Sequence, residues 1–330
     1  MEIFDFGIGW PVTKEQDDLF INTLEAECAA RKLSFIFVDD ASLKDISTAV
    51  KSGKLKIKFY LDMASETYDF EDKFTRFAYR LKDAGTRIVA DPDDVKAAAD
   101  KSITHFDLVA ARIPVPFTVV IRHWESRRRL SEEEKIGLGS PFVIKPALGY
   151  GQQGVKIISQ KPNLKDIAEA RKFDEEDNFL LQEFVRPQEL DGSPAWFRVY
   201  HLFGEILPCW WHPETHVFRQ VTLKEMDNYK LSPLIRITSE IARITLIDWF
   251  SCEIALNKKN SKFVVIDYMN DQCAIYPQSQ HPDGVPDDLV IHIAGRIAEK
   301  AWEYVMGRFT LRYRAVWFPK VKVKEEEDKF

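Results

Sequence analysis

Apolar runs and amphipathic stretches alternate along the first part of the chain. Four runs have the short, apolar character of buried strands, and they read EIFDFGIG, LSFIFVDD, KIKFYLDM and RIVADP. Between the first two, Phe20, Leu24 and Cys28 recur every four residues, which predicts a helix with one apolar stripe. A second helix is predicted through Leu81, ending at Gly85. Because strands that alternate with helices form parallel sheets, residues 1–95 are predicted to be a Rossmann-like α/β domain.

Strands become more frequent in the rest of the chain. A helix from Asp93 through Lys101 is predicted to run towards Pro114 and Pro116, which impose an extended backbone. Six predicted strands then read TVVIR, FVIKP, VKIIS, FLLQEFV, FRVYHLFGEIL and FVVIDYM. A last long helix begins near Pro286 and carries on one face Leu289, Ile293, Ile297 and Ala301. Residues 311–330 are predicted to be a charged, solvated tail.

The composition is that of a folded, acidic protein. The 330 residues are 45% hydrophobic and 30% charged, with a formal net charge of −6, which excludes a disordered chain. This length exceeds what one core supports, so at least two domains are expected. Net acidity argues against a nucleic-acid partner, because neutralising phosphates needs a basic surface. No apolar run reaches the ~18–20 residues that cross a bilayer, and the acidic N-terminal sequence is unlike a secretory signal. A cytoplasmic protein with no membrane partner is therefore expected.

Metal sites built from sulfur or histidine are disfavoured. The four cysteines, at positions 28, 209, 252 and 273, have no CxxC spacing, so reduced and mostly buried thiols are expected. His212 and His216 are four apart, but Pro213 argues against a helix that would present both to a zinc ion.

Three glycines within six residues form the most distinctive motif. Gly149, Gly151 and Gly154 fit the pattern GxGxxG, but the residues that follow, VKII, continue as a strand. A dinucleotide-binding fingerprint needs a helix there, a P-loop needs Gly-Lys-Ser/Thr, and a protein kinase needs HRD and DFG triplets, which this sequence lacks. The glycines are therefore predicted to form the tip of a β-hairpin. Their backbone amides could approach phosphate oxygens, next to the ammonium group of Lys145.

Five segments occur in a fixed order between about residues 95 and 306. They are Asp100-Lys101 with IPVPFTVV, then PFVIKPALGYGQQGV, LLQEFV, FRVY and VVIDYMND. Together they resemble the ATP-grasp superfamily, in particular the RimK-like carboxylate–amine ligases. The resemblance implies an α/β (α+β) fold with a two-lobed ATP-grasp domain over 96–310. Its nucleotide-binding small lobe would cover about 102–185 and its metal and substrate lobe about 186–310, and the N-terminal α/β unit fits the domain that usually precedes this fold.

The same resemblance implies a role for individual side chains towards ATP. Lys101 and Lys145 would contact its phosphates, under a lid formed by Gly149, Gly151 and Gly154. The adenine would be held by Glu183, Phe184 and Val185.

The remaining implied residues concern charge and metal. Arg198 would stabilise charge on the reacting groups, with Arg219 as a second arginine on the phosphate side. Oxygen atoms of Glu253, Asp267 and Asn270 would hold Mg²⁺, or Mn²⁺ in its place. An alternative for Arg198 is a purely structural ion pair with Glu253 or Asp267.

Two positions depart from the pattern of the superfamily. An acidic residue often stands two residues before the strand arginine, where this chain has Trp196, so Glu189 or Asp191 could take over the ribose contact. The last two metal ligands are commonly two residues apart, whereas Asp267 and Asn270 are three apart and would point to opposite faces of a regular strand. Either the strand ends or bulges at Tyr268-Met269, or Asp271 is involved.

The implied activity is that of an ATP-dependent, ADP-forming ligase. It would join a small-molecule carboxylate to an amine or another nucleophile through an acyl phosphate, and loops around 205–235 and 272–286 would bind the acceptor. One alternative is a small-molecule kinase on the same scaffold. Another is a non-catalytic ATP-binding partner module. The two departures from the superfamily pattern would favour this second alternative. Trp196, Trp210 and Trp211 are expected in the core, although one of them could line the acceptor pocket.

Overall fold

A four-stranded parallel sheet forms the N-terminal part of the chain. The computed structural model describes residues 1–11, 18–66, 69, 71–125, 128–149, 151–161, 164–273 and 275–310, so the predicted tail at 311–330 lies outside them. The elements in order are β1 (Glu2–Gly9), α1 (Leu19–Ala30), β2 (Phe35–Val38), α2 (Leu43–Lys51), β3 (Leu55–Asp62), α3 (Lys73–Asp83) and β4 (Arg87–Val89). All neighbours are parallel, in the order β2-β1-β3-β4. The predicted alternation of strand and helix is confirmed.

Two helices replace the single helix that was predicted from Asp93 through Lys101. They are α4 (Pro92–Ala99) and α5 (Lys101–Ala110). At Asp100 the backbone is extended, with φ −71° and ψ 97°, and its carboxylate accepts a hydrogen bond from the amide of Ser102 at 2.8 Å. The one-helix prediction was wrong because a local cap outweighs the continuing helical pattern. As a result, Lys101 stands in the first turn of a new helix.

The second sheet is antiparallel and carries the glycine hairpin. Its strands and helices are β5 (Thr118–Ile121), α6 (Glu132–Leu138), β6 (Phe142–Pro146), β7 (Lys156–Ile158), α7 (Leu164–Arg171) and β8 (Phe179–Glu183), with a short 3₁₀ turn at His123–Glu125. The strand order is β5-β8-β6-β7, and we call this the small sheet. Because β6 and β7 pair antiparallel, the predicted hairpin is confirmed.

The third sheet has five antiparallel strands, and we call it the large sheet. After the small hairpin β9 (Glu189–Leu190) and β10 (Ser193–Pro194), its strands are β11 (Trp196–Leu202), β12 (Glu205–Trp211), β13 (Phe218–Gln220), β14 (Trp249–Asn257) and β15 (Lys262–Asn270). Two helices, α8 (Leu223–Asn228) and α9 (Ser232–Thr245), separate β13 from β14. The order is β13-β12-β11-β14-β15. The segment FRVYHLFGEIL, which was predicted as one strand, turns at Phe203 and Gly204, both with positive φ.

One hydrophobic core joins the N-terminal sheet to the large sheet. It contains Phe6 and Phe59 of the parallel sheet together with Tyr200 and Trp249 of the large sheet. The last helix, α10 (Asp287–Val305), buries the predicted face and packs against α1. None of the helices among the described residues is both long and apolar enough to cross a membrane. All four cysteines are buried and free.

Candidate active site

A cleft of about 770 Å³ lies where the three sheets meet. Its walls come from the small sheet and α5, from the large sheet, and from loops that follow strands of the N-terminal sheet. Seven of the residues predicted for the site line it, namely Lys101, Gly149, Gly151, Arg198, Glu253, Asp267 and Asn270. Residues that are far apart in sequence are thus brought together around one space.

Two lysines lie close to the acidic residues of the site: Lys101 lines the cleft, whereas Lys145 is not among its lining residues but interacts electrostatically with Asp267, Glu253 and Lys101. The Nζ atom of Lys145, on β6, is buried and donates a hydrogen bond to the backbone oxygen of Ile266 at 2.9 Å. Burial lowers the pKa of this ammonium group to about 8, with the charge of Lys101 adding to the fall and that of Asp267 opposing it. Lys101 donates to the backbone oxygen of Gly149 at 2.8 Å. Neither lysine forms an ion pair with a described residue. A bound anion could therefore neutralise their positive charge.

The glycine turn, residues 149–154, borders the same cleft; Tyr150 lies outside the described residues. Gly151 and Gly154 have φ angles of 59° and 71°, which residues other than glycine rarely adopt. A Cβ atom on Gly149 would stand 3.0 Å from Cγ of Pro146. Glycine is therefore required here by backbone conformation and by close approach, as the motif predicted.

The acidic residues sit on neighbouring strands of the large sheet. Glu253 of β14 pairs with Asp267 of β15, and Ser251 pairs with Asn270, so that two steps on β14 match three on β15. This bulge at Tyr268-Met269 turns both Asp267 and Asn270 towards the cleft. Of the two explanations offered for the three-residue spacing, the bulge is confirmed.

Asp271, the other residue considered there, also lines the cleft. Burial raises the pKa of its carboxyl group to about 6, and the nearby charge of Asp62 adds to the rise.

Arg198 is held by a carboxylate and by aromatic rings. It forms an ion pair with Glu253, whose other oxygen accepts a hydrogen bond from Nε1 of Trp196 at 3.2 Å. Its guanidinium carbon lies 4.9 Å from the ring centre of Trp211. Burial alone would lower the pKa of Arg198, but the carboxylate of Glu253 outweighs it and holds the pKa above its usual value. The expected ion pair is present, and it lies inside the cleft.

Arg219 is not among the residues that line the cleft, and its role as a second arginine on the phosphate side stays a prediction. It pairs across the strands with Trp210, whereas Arg198 pairs with Cys209, so the two arginines are on opposite faces of the sheet. Its Nη1 atom binds Glu225 at 2.7 Å, and its side chain is 53% exposed.

The residues predicted to hold adenine and ribose also lie outside the residues that line the cleft. Glu183 binds Nζ of Lys259 at 2.8 Å, and Val185 is buried against Ala255 and Val264. Phe184 lies 5.7 Å from the guanidinium carbon of Arg186. Glu189 is exposed on β9, and the carboxylate of Asp191 accepts a hydrogen bond from the hydroxyl group of Tyr229. These five residues are not among those that line the cleft, and their roles towards adenine and ribose stay predictions.

Both loop regions that were predicted to bind the acceptor contribute residues to the lining of the cleft. Trp211, His216 and Phe218 from the first loop region line the cleft, as do Tyr276, His281 and Asp283 from the second. Trp211 is thus the tryptophan that combines core packing with the pocket wall, while Trp210 packs on the other face. Sequence reasoning missed Pro11 and residues 63–66, which follow β1 and β3. The rule that ligands bind beyond the carboxyl ends of parallel strands could have found them.

Histidine does not form a metal cluster among the residues that the structure describes. Nδ1 of His212 accepts hydrogen bonds from the amides of Glu214 and Thr215, both at 3.2 Å. His216 instead stacks on Trp211. Within the described ranges, no group of three or more His, Cys, Asp or Glu side chains is placed to hold a metal ion.

Comparison with known proteins gives matches in structure and none in sequence. No protein-family model matches the chain, and no curated protein matches it in a sequence search.

Among solved structures, the chain is similar to the RimK-domain ATP-grasp protein from Sphaerobacter thermophilus DSM 20745, with 18% identity, a TM-score of 0.60, and coverage of 89% of this chain and 98% of that one. It is similar to D-cycloserine synthetase DcsG, with 16% identity, a TM-score of 0.61, and coverage of 91% and 99%. It is also similar to D-alanine–D-alanine ligase from Bacillus anthracis complexed with ATP, with 15% identity, a TM-score of 0.56, and coverage of 91% and 99%. The chain therefore has the ATP-grasp fold, as its sequence motifs predicted.

Proposed function

We propose that this protein is an ATP-dependent, ADP-forming ligase that joins a carboxylate to an amine or another nucleophile. The observation that carries the proposal is the shared cleft, in which Lys101 and the glycine turn face acidic oxygens and an arginine, with the buried ammonium group of Lys145 close to Asp267 and Glu253. D-cycloserine synthetase and D-alanine–D-alanine ligase, which have the same fold, bear the names of bond-forming enzymes, and the second was solved with ATP. The specific reaction of this chain follows from neither.

The triphosphate of ATP would lie beside the two lysines. Among the described residues, Lys101 and Lys145 donate hydrogen bonds to backbone oxygens and form no ion pair, so their charge is available to phosphate oxygens. The backbone amides of the glycine turn could close onto the same oxygens, because the turn carries no side chain at Gly149 or Gly151. For the adenine we propose no contact, since the predicted segment 183–185 lies outside the lining of the cleft.

A divalent ion would be held by the carboxylates of Glu253 and Asp267, with the amide oxygen of Asn270. Three oxygen-bearing side chains on one wall are the ligand set that Mg²⁺ prefers, and Mn²⁺ accepts the same set. Each oxygen of Glu253 already accepts one hydrogen bond, from Arg198 or Trp196, but a carboxylate oxygen has a second lone pair. When bound, the ion neutralises charge on the phosphates.

The chain's own residues would then position and stabilise the reacting groups. The substrate carboxylate attacks the γ-phosphorus of ATP, and the bond between that phosphorus and the oxygen that bridges it to the β-phosphate breaks. ADP is the leaving group, and the acyl phosphate stays in the cleft. The nucleophile adds to the acyl carbon, inorganic phosphate departs, and the amine proton passes to solvent. Arg198 would stabilise the oxyanion that forms in between. No nucleophilic side chain is needed.

The acceptor would bind in the same cleft. Glu66, Asp271 and Asp283 line it, and Lys101 and Arg198 are the only Lys or Arg among its described lining residues. A protonated amine fits this charge, whereas an acceptor with a second carboxylate would be repelled.

A screen of metabolite pools for ADP formation tests the proposal. Pools of acids and amines are incubated with the protein, ATP and Mg²⁺, and ADP, inorganic phosphate and product mass are measured together. A ligase is expected to release equal amounts of ADP and phosphate, and the mass of its product should equal that of the acid plus the amine minus water. A phosphorylated product without free phosphate would indicate a kinase instead. Binding of ATP without turnover in any pool would indicate a non-catalytic module.

A further inference from the structure

A short loop between β12 and β13 presents His216 to the cleft. The loop is braced internally, because the amide of His216 donates to the backbone oxygen of His212 at 2.8 Å, and the amide of His212 donates to that of Val217 at 3.1 Å. His216 itself has a positive φ of 59°, a backbone conformation that residues other than glycine rarely adopt. The surrounding contacts therefore fix the position of this imidazole.

His216 stacks on Trp211, and Trp211 in turn contacts Arg198. The two rings of the first pair are nearly parallel, at 2°, with their centres 5.3 Å apart. The guanidinium carbon of Arg198 lies 4.9 Å from the centre of Trp211 and 5.9 Å from that of Phe218. Aromatic rings at this distance attract a cation and restrict its orientation.

Arg198 depends on these rings because its hydrogen bonds are incomplete. Its Nη2 atom binds Glu253, while its Nε atom is buried and has no hydrogen-bond partner among the described residues. A guanidinium group held by one carboxylate can rotate about that contact. The ring of Trp211 is therefore placed to fix the plane of the arginine.

The glycine turn reaches the same stack from the other side of the cleft. The side-chain amide nitrogen of Gln152 lies 3.4 Å from Nε2 of His216. Gln152 is exposed at the tip of the turn and lines the cleft with His216, Trp211 and Arg198. A continuous series of contacts thus runs from the phosphate-facing turn to the arginine.

We propose that His216 and Trp211 are positioning residues: His216 couples the glycine turn to the large sheet through Gln152, and Trp211, on which His216 stacks, orients Arg198. This inference rests on the proposed function, and it adds two residues to the site. His216 would act through the turn and so on nucleotide binding. Trp211 would act through Arg198 and so on turnover.

The test separates these two effects by measuring nucleotide binding and turnover in the full-length protein. Mg²⁺–ATP is titrated while tryptophan fluorescence is followed, and the part due to Trp211 is obtained by difference from Trp211→Phe. ADP release is measured in a metabolite pool that supports turnover. His216→Ala and Gln152→Ala are expected to weaken ATP binding about 5- to 10-fold with kcat changed less than about twofold, and the double variant to be no weaker than either alone. Trp211→Leu is expected to lower kcat about 100-fold with little change in ATP affinity, and Trp211→Phe to restore most of it.

A second His–Trp contact provides the control. His123 and Trp124 lie 4.5 Å apart, exposed and outside the residues that line the cleft, so His123→Ala and Trp124→Phe should leave both measurements unchanged. Unchanged ATP affinity in His216→Ala, or additive losses in the double variant, would overturn the coupling. If the wild-type protein binds no ATP at all, the proposed function fails and the inference fails with it; if it binds ATP while the variants match it, only the inference fails.

Discussion

The two walls of the cleft hold their charged side chains in different ways. On the large sheet, Arg198 and Glu253 neutralise each other and Trp196 adds a hydrogen bond, so the charges are balanced within the protein. On the facing side, Lys101 and Lys145 form no ion pair with any described residue and donate to backbone oxygens, and the turn beside them is exposed and rich in glycine. The pair of Arg198 and Glu253 is balanced without a ligand, whereas the two lysines carry charge that a bound anion would neutralise. Substitutions in the pair should therefore damage both stability and turnover, and those on the facing side mainly nucleotide binding.

The largest effect is expected from Glu253→Gln on the balanced wall. It removes a candidate metal ligand and leaves Arg198 buried without its counter-charge, so ADP release should fall about 10³-fold and the free energy of unfolding by about 3 kcal/mol. Steady-state assays and chemical denaturation measure the two losses. The control, Glu240→Gln in the exposed pair with Arg243, should change stability by no more than about 0.5 kcal/mol. Full activity in Glu253→Gln would contradict the assignment of this wall.

Lys145→Met on the facing side should lower turnover strongly without loss of stability. Removing the ammonium group should cost about 10²-fold in ADP release, because we propose that it binds the phosphates of ATP. Since the lysine is buried and methionine has a similar length, unfolding should need at least as much denaturant as in the wild type. Lys135→Met, in an exposed pair on α6, is the matched control. Undiminished ADP release would show that Lys145 does not serve the nucleotide.

The pH dependence of ATP binding should report the same lysine. Burial lowers the pKa of Lys145 to about 8, so the ammonium form is present below that pH and is lost above it. If only the charged form binds phosphate, the apparent Kd for ATP should rise about eightfold between about pH 7.5 and pH 9. Lys145→Arg should bind ATP with a flat profile over this range, because arginine stays charged. A wild-type profile as flat as that of the variant would refute this role of the ammonium group.

Gly151→Ala should have a moderate effect confined to nucleotide binding. No atom lies within 4 Å of the added methyl group, so the change acts through the φ of 59°, at a cost of about 1 kcal/mol. That cost corresponds to about a fivefold rise in KM for ATP. Gly53 has a φ of 68° and equally open surroundings, but it lies outside the cleft. Gly53→Ala should therefore cost similar stability and leave KM unchanged, and equal KM values for the two variants would contradict the role of the turn.

The smallest effect is expected for Arg219→Ala. This arginine lies on the far face of the large sheet, in an exposed pair with Glu225, so kcat and KM should change less than about twofold. A loss comparable to that of Glu253→Gln would show that the arginine reaches the reacting groups during turnover.

Much of the fold followed from the sequence because the pattern was local. The alternation in the N-terminal part and the glycine hairpin needed only apolar periodicity and the strand after Gly154. The segment FRVYHLFGEIL was misread because both faces of β11 and β12 are largely buried, so no change in polarity marks the turn at Phe203. The break at Asp100 depends on a cap that competes with a helical pattern on both sides.

The candidate site could be predicted where a sequence motif identified the residue. It was uncertain where the strand register decides which side chains face the cleft. Asp267 and Asn270 share a wall only because of a bulge, which spacing alone left open. Arg219 lies on the other face of the sheet from Arg198, which the sequence could not show because a shift of one residue along a strand moves a side chain to the other face. Residues 63–66 carry no motif, and they reach the cleft only through the packing of the N-terminal sheet on the large one.

That packing also decides how the chain could be re-engineered. The core shared by the parallel sheet and the large sheet is reinforced by a contact of 3.3 Å between Nε1 of Trp249 and Sδ of Met63, and by the ion pair of Arg87 with Asp248. A chimera that exchanged only residues 1–95 would cut through this core and expose its apolar side chains. Grafts intended to change the acceptor should therefore transfer the parallel sheet together with β11, β14 and α10, while the glycine hairpin formed by β6 and β7 can stay with the recipient.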